Sequence, residues 1–302
     1  MNILVSGASG IVGYGILKSL KGHNLIGTTI YDYSVAPAFC KAEKILPTDD
    51  KAYLYNLIEI IEKHNIDMAI PSIECDMYKW NIIRELLPTF PLLNNRLLIH
   101  LCEDKWPFYQ KLNMLASQYA IPTTLDIDFN RFDLPFLLKP RKGFGSKGII
   151  RINDRKDFDS YFLGQDLMQQ PIIGTEDEEY TVSGFFDENS NLIDYFPLRR
   201  KLLHGSTNEA IVEDRNFGEV LSELAQVFKP IGPTNFQFRM YGDVPKLLEI
   251  NPRISSATSI RAALGYNEAQ MSIDYFLNNE LPVPVKKPIG KRAIRYTEDY
   301  IF

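Results

Sequence analysis

The segment Thr234-Asn-Phe-Gln-Phe-Arg-Met-Tyr-Gly-Asp-Val-Pro-Lys-Leu-Leu-Glu-Ile-Asn-Pro-Arg253 constrains the fold more than any other part of the chain. It reads as two strands around a turn at residues 241–245. With the turn centred on Asp243, Gln237 faces Glu249 and Asn235 faces Asn251, all on one side because strand side chains alternate. Side chains opposed in this way have Cβ atoms about 4.5–5.5 Å apart, and a bulge would change the register. The product is an oxygen-rich patch of one carboxylate and up to three amides, with Arg253 just beyond it. Such hard ligands suit magnesium, which keeps waters and takes one or two protein carboxylates plus substrate phosphates. A polar, solvent-facing side of a hairpin is the plainer reading. The apolar setting of Glu249 in Leu-Leu-Glu-Ile-Asn-Pro argues against it.

A second hairpin is expected from residues 135–139 and 149–152. Between them runs Lys139-Pro-Arg-Lys-Gly-Phe-Gly-Ser-Lys-Gly148. Gly143, Gly145 and Gly148 let backbone approach a ligand, and successive N–H groups favour anionic oxygens. Lys139, Arg141, Lys142 and Lys147 add positive charge, so polyphosphate is the natural ligand; glycines serving only turn geometry are the alternative. The loop is not a GxxxxGK[ST] motif.

The N-terminal part alternates strand and helix. Residues 2–5 are apolar, a glycine turn follows, and Ile11, Val12, Ile16, Leu17 and Leu20 recur at helical spacing. Residues 25–30 and 66–70 read as strands around a stripe of Leu54, Leu57, Ile58 and Ile61. This order implies a parallel sheet with right-handed crossovers. The remainder carries a hairpin at 179–186 and 192–199 and helices near 214–228, 256–263 and 268–277. The fold class is α/β, with a Rossmann-like unit over residues 1–96 and a second unit over 97–302.

Composition sets the outer limits. A chain of 302 residues, 45% hydrophobic, holds about two domains. Its 33 basic and 38 acidic residues give a formal net charge of −5, without the basic footprint of a nucleic-acid binder. Cys40, Cys75 and Cys102 form no CxxC pair, and four scattered histidines offer neither a zinc cluster nor a triad. With no signal-peptide pattern and no apolar run of about 20 residues, a cytoplasmic protein without a membrane partner is expected.

Glu249-Ile-Asn-Pro-Arg253, preceded by Asn235-Phe-Gln237, resembles the metal-binding signature of the ATP-grasp superfamily, in particular its carbamoyl-phosphate-synthetase-like and carboxylate–amine ligase branches. Three further landmarks fall in the order of that superfamily: Glu103-Asp-Lys105, the loop from Lys139 to Gly148, and Met168-Gln-Gln170 leading to Glu179-Tyr-Thr-Val182. The resemblance covers residues 101–277. It implies an ATP-grasp fold of two subdomains clamping ATP, with a lid over about 123–166. It further implies that Lys105 and Lys139 contact ATP, with Gly143, Gly145, Ser146 and Gly148 closing over the triphosphate. Gln169, Gln170 and Ile172 would line the adenine slot, and Glu179, or its neighbour Glu178, would bind the ribose. Glu249, Asn251 and Gln237 would hold magnesium or manganese, and Arg253 and Lys139 would act on the transferred phosphoryl group. The implied activity is ADP-forming ligation of a small-molecule carboxylate to an amine, in a chain for which a homodimer is the default.

Two other readings stand beside this one. Gly7-Ala-Ser-Gly-Ile-Val-Gly13 with Asp32 fits a dinucleotide-binding turn, but the only Tyr-xxx-Lys pair, Tyr14 and Lys18, lies in the first helix. A nucleotide-binding regulatory protein without turnover is the other, and the retained Lys105, Lys139, Glu249, Asn251 and Arg253 argue against it. Ser72, Glu74 and Asp76 follow the third strand, where ligands gather in open sheets; they either contact substrate or cap the next helix. Arg199, Arg200 and Lys201, with His204, lie where relatives contact phosphate or substrate carboxylate.

Overall fold

The computed structural model describes residues 1–143, 147–161 and 166–301. Its N-terminal layer is a five-stranded parallel sheet in the order β3-β2-β1-β4-β5. The strands are β1 (Asn2–Val5), β2 (Asn24–Thr29), β3 (Lys41–Lys44), β4 (Met68–Ile70) and β5 (Phe90–Pro91). Period-two alternation sends Ile3 and Val5 to one face and Leu4 to the other. Ile3 and Val5 pack with Ile16 and Leu17 of α1 (Ile11–Ser19), whereas Leu4 meets Leu57 and Ile61 of α2 (Tyr53–His64) and Trp80 of α3 (Glu74–Ile83). Two short helices, α4 (Arg96–Glu103) and α5 (Lys105–Leu115), then lead into the rest of the chain.

A three-stranded antiparallel sheet follows: β6 (Phe136–Pro140) flanked by β7 (Ile150–Ile152) and β8 (Leu167–Pro171), with α6 (Arg155–Tyr161) beside it. The third sheet has six strands in the order β13-β12-β9-β10-β11-β14. They are β9 (Glu179–Phe186), β10 (Leu192–Leu203), β11 (Ser206–Val212), β12 (Gly232–Tyr241), β13 (Val244–Asn251) and β14 (Arg292–Ile294). Every residue of β9 is buried, because helices cover both faces of the sheet. On one face Val182 and Phe236 pack with Leu221 and Leu224 of α7 (Phe217–Phe228). On the other Phe185 and Phe196 meet Ile260 of α8 (Thr258–Ala263) and Met271 of α9 (Glu268–Asn278). Ile273 and Ala269 of α9 also enter the α1 face of the parallel sheet, so the two sheets share α9 as a common wall.

The β12–β13 hairpin has the expected partners by an unexpected route. The turn is two residues long, with Tyr241 opposite Val244, so its centre lies between Gly242 and Asp243. A β-bulge at Leu248 then supplies one extra residue. The two offsets cancel, leaving Gln237 opposite Glu249 and Asn235 opposite Asn251. Short β3 and β5 and the longer β11 carry weak periodicity and were not expected.

Candidate active site

A cavity of about 420 Å³ lies where the three sheets converge. The β6–β8 sheet supplies Lys139 and Gln170, the six-stranded sheet supplies Gln237, Glu249 and Asn251, and the N-terminal layer supplies Ile11, Val12 and Glu74. Lys105 reaches it from the first residue of α5, whose N-cap Asp104 accepts from Trp106 N at 2.9 Å. Arg141 grips that N-cap, Nη2 to Asp104 Oδ2 at 2.5 Å, and holds the carboxyl below its usual range against the opposing effect of burial.

Among the described residues the hydrogen-bond partners of the two lysines are neutral. Lys105 Nζ donates to the Gly143 carbonyl at 2.7 Å, and Lys139 Nζ donates to Gln170 Oε1 at 3.2 Å. Burial lowers both pKa values below 10.5, and for Lys139 the nearby charge of Lys105 adds to the effect while Glu249 opposes it. An anion placed beside either group would favour its charged form.

Glu179 sits in the same cavity, and both its oxygens are taken. Arg200 Nη2 reaches Oε1 at 2.8 Å and Arg239 Nη2 reaches Oε2 at 2.7 Å. Burial works against its charge, but the two guanidinium groups prevail and hold the pKa below 4.5. Arg200 also donates to Gln237 Oε1 at 2.6 Å, so the amide oxygen expected to help a metal is engaged by an arginine here. Glu249 accepts from Asn251 Nδ2 at 3.0 Å. Among the described residues no group of three or more His, Cys, Asp or Glu side chains could hold a metal. A single carboxylate with amide oxygens fits magnesium shared with substrate phosphates better than an all-protein cage.

Other expected residues are placed differently. Gln169 is fully buried and faces away: its amide exchanges hydrogen bonds of 2.9 and 2.8 Å with the backbone of Asp128, because alternation along β8 turns Gln170 to the cavity instead. Ile172 and Gly143 line the cavity, Gly148 packs near Pro140, and Glu178 stands outside. Gly145 and Ser146 lie outside the described residues. Arg141 and Lys142 face Asp104, Asp166 and Glu103 rather than the cavity. Asn235 lies beneath the site, accepting from Thr181 Oγ1 at 2.7 Å. In β10 alternation sends Arg200 inward and leaves Arg199 with Glu213 and Lys201 with Asp177, while His204 lines the cavity from the turn that follows.

Arg253 forms an ion pair with Glu74 across the two parts of the chain. Asp76 is instead buried, accepting from Tyr53 Oη at 2.7 Å, and is structural. The glycine turn serves packing: Gly7 has φ +58°, and a Cβ on Gly13 would lie 2.3 Å from the Gly7 carbonyl. Asp32 is exposed and paired with Lys44. Leu248, Arg239, Ser255 and Ser256 also line the cavity. Of these only Arg239 had a legible signal, the spacing 235, 237, 239 along one strand face.

Three sheets closing on one cleft in this order are the ATP-grasp architecture. Residues 165–298 match the family described as ATP-grasp in the biosynthetic pathway with Ter operon. Among solved structures the chain is similar to N5-carboxyaminoimidazole synthetase from Staphylococcus aureus complexed with ADP, at 17% identity, TM-score 0.77, and coverage of 95% of this chain and 79% of that one. It also resembles L-amino acid ligase from Bacillus licheniformis (14%, TM-score 0.68, 91% and 73%) and a biotin carboxylase–β-γ-ATP complex from Campylobacter jejuni (14%, TM-score 0.69, 90% and 70%). No curated protein matches the sequence.

Proposed function

We propose that this chain is an ADP-forming ligase that uses ATP to activate a carboxylate as an acyl phosphate and joins it to an amine. One observation carries the reading: Lys105 and Lys139, partly desolvated and without a carboxylate partner among the described residues, share a cavity with Glu249, Asn251 and Arg253. The ADP bound by the Staphylococcus aureus synthetase and the β-γ-ATP bound by the Campylobacter jejuni biotin carboxylase support it, as does the likeness to an L-amino acid ligase. In this reading residues 1–96 help bind the second substrate, residues 97–302 bind ATP, and the part over about 123–166 is the lid.

Lys105 and Lys139 contact ATP, Lys139 at the phosphates, and Gln170 and Ile172 flank the adenine. Glu249 and Asn251 hold magnesium, with Gln237 joining them once Arg200 lets go of its amide. Magnesium supplies charge neutralisation and orients phosphate oxygens. Arg253 faces the transferred phosphoryl group, where developing negative charge is best met by a fixed cation. Glu179, clamped by Arg200 and Arg239, presents its remaining acceptor capacity to the ribose.

The test is ADP release with MgATP against pools of amino acids and small carboxylic acids, for the native chain and Glu249→Gln. Release that depends on a pool and falls at least about 100-fold in the variant is expected. Unchanged turnover in Glu249→Gln would remove the metal assignment.

A further inference from the structure

The tip of the β10–β11 hairpin forms part of the cavity wall, through Leu202, His204, Gly205 and Ser206. Leu203 and Ser206 are the last facing pair, so His204 and Gly205 make a two-residue turn. Both have left-handed backbone, at φ +49° and +75°. This is the mirror-image turn that suits strand twist, and asparagine before glycine is its preferred filling, although histidine is tolerated. Turn geometry therefore does not explain why an imidazole stands here. Among the described residues the His204 side chain makes no hydrogen bond or ion pair, and it is exposed.

An amine substrate is an ammonium at neutral pH and must shed a proton before it can attack. The other charged groups of the cavity are poorly placed to take it. Glu179 is clamped by Arg200 and Arg239, and Glu74 is paired with Arg253; a carboxylate held by a guanidinium is a weak base. Glu249 is assigned to magnesium. Lys105, Lys139 and Lys147 line the same cavity, and bound phosphate favours the charged form of each. On β10 itself Lys201 is paired with Asp177. Among the described lining residues His204 is the only histidine. Histidine is the side chain whose ordinary titration falls between about pH 5 and 8, and its neutral ring keeps one nitrogen free to accept.

We propose that His204 is the general base of the amide-forming step, taking from an ammonium substrate the proton it must lose before attack. The inference rests on the ligase reading above. The ammonium gives one proton to the imidazole, and the freed lone pair forms the C–N bond. The C–O bond of the acyl phosphate breaks, and a second proton leaves with the departing group as hydrogen phosphate. The imidazolium, exposed at the hairpin tip, returns its proton to solvent. One acyl phosphate dianion and one ammonium thus become one amide, one hydrogen phosphate and one proton.

The experiment uses the full chain, MgATP and the pool of small carboxylic acids, with two nucleophiles: pooled amino acids, and hydroxylamine, which is already uncharged near neutral pH. His204→Asn removes the base and keeps a residue that the turn prefers. The amino-acid-dependent product should fall about 100-fold at neutral pH, the usual scale of general base catalysis. Hydroxamate should fall severalfold at most. The amide defect should shrink as pH rises towards the pKa of the amine, and added imidazole should restore part of the rate. Equal loss of both products, or a defect constant with pH, would make His204 a phosphoryl or structural contact and overturn the inference. An unchanged amide rate would overturn it too, leaving the proton to the departing phosphate. If the native chain forms neither product, it is the ligase reading that fails, and this inference with it.

Discussion

Lys139 shows how much one side chain can report. Its pKa lies below 10.5 because burial and the neighbouring Lys105 penalise the charge. Phosphate oxygens placed beside it would favour the charged form, so the nucleotide complex has the higher pKa. The sign follows: affinity for MgATP is full below the lowered pKa of the free protein and falls as pH rises above it, by at most about tenfold per unit for one proton. Calorimetry in two buffers of different ionisation enthalpy should detect proton uptake on the alkaline side. It should vanish in Lys139→Met. The sequence located this lysine through its glycine-rich neighbourhood but gave no hint that Arg141 would be spent on Asp104 and Asp166. Proximity along a loop says nothing about where long side chains turn, and ion pairs with partners 25 to 37 residues away decide it.

At the scale of elements, a relay of Trp80 Nε1 to Tyr53 Oη at 2.8 Å and Tyr53 Oη to Asp76 Oδ1 at 2.7 Å fastens α3 to α2. Burial raises the Asp76 pKa against the opposing hydrogen bonds, so the carboxyl depends on that hydroxyl. Tyr53→Phe should therefore cost about 1–3 kcal/mol in urea unfolding, because it strands a buried donor and a buried acceptor together. ADP release should survive under conditions where the variant is folded. The same relay explains why Asp76 reads as a substrate contact in sequence: position after a strand marks the region, and helical phase then decides which acidic residue faces inward. Glu74 faces the cavity, and Asp76 faces the core. The facing pairs of the β12–β13 hairpin were legible in the sequence, yet its bulge was not, since Leu248 is one more apolar residue in an apolar strand.

For the whole molecule, the alternation of strand and helix up to about residue 70 made the parallel sheet legible. The six-stranded sheet was read only as separate hairpins. Its assembly depends on contacts such as β9 with β12, some 50 residues apart, which no local period records. Because all three sheets contribute to one cavity, nucleotide should stabilise the molecule as a unit. At a hundredfold excess over Kd, MgATP should add about 2.7 kcal/mol, read as a rise of a few degrees in Tm. NADH should produce none, and a rise with NADH alone would favour the glycine turn as a dinucleotide site.

Among the described residues, six cationic side chains line the cavity (Lys105, Lys139, Lys147, Arg200, Arg239 and Arg253) against three carboxylates, Glu74, Glu179 and Glu249. The interior thus carries a formal excess of three positive charges within a chain of net −5. At physiological ionic strength fields fade over about 8 Å. An anion in solution therefore meets a mildly repellent exterior and feels the attractive interior only at the mouth. Polyphosphate is sorted at the doorway rather than gathered from afar, and small anions with little charge to trade have scant reason to enter.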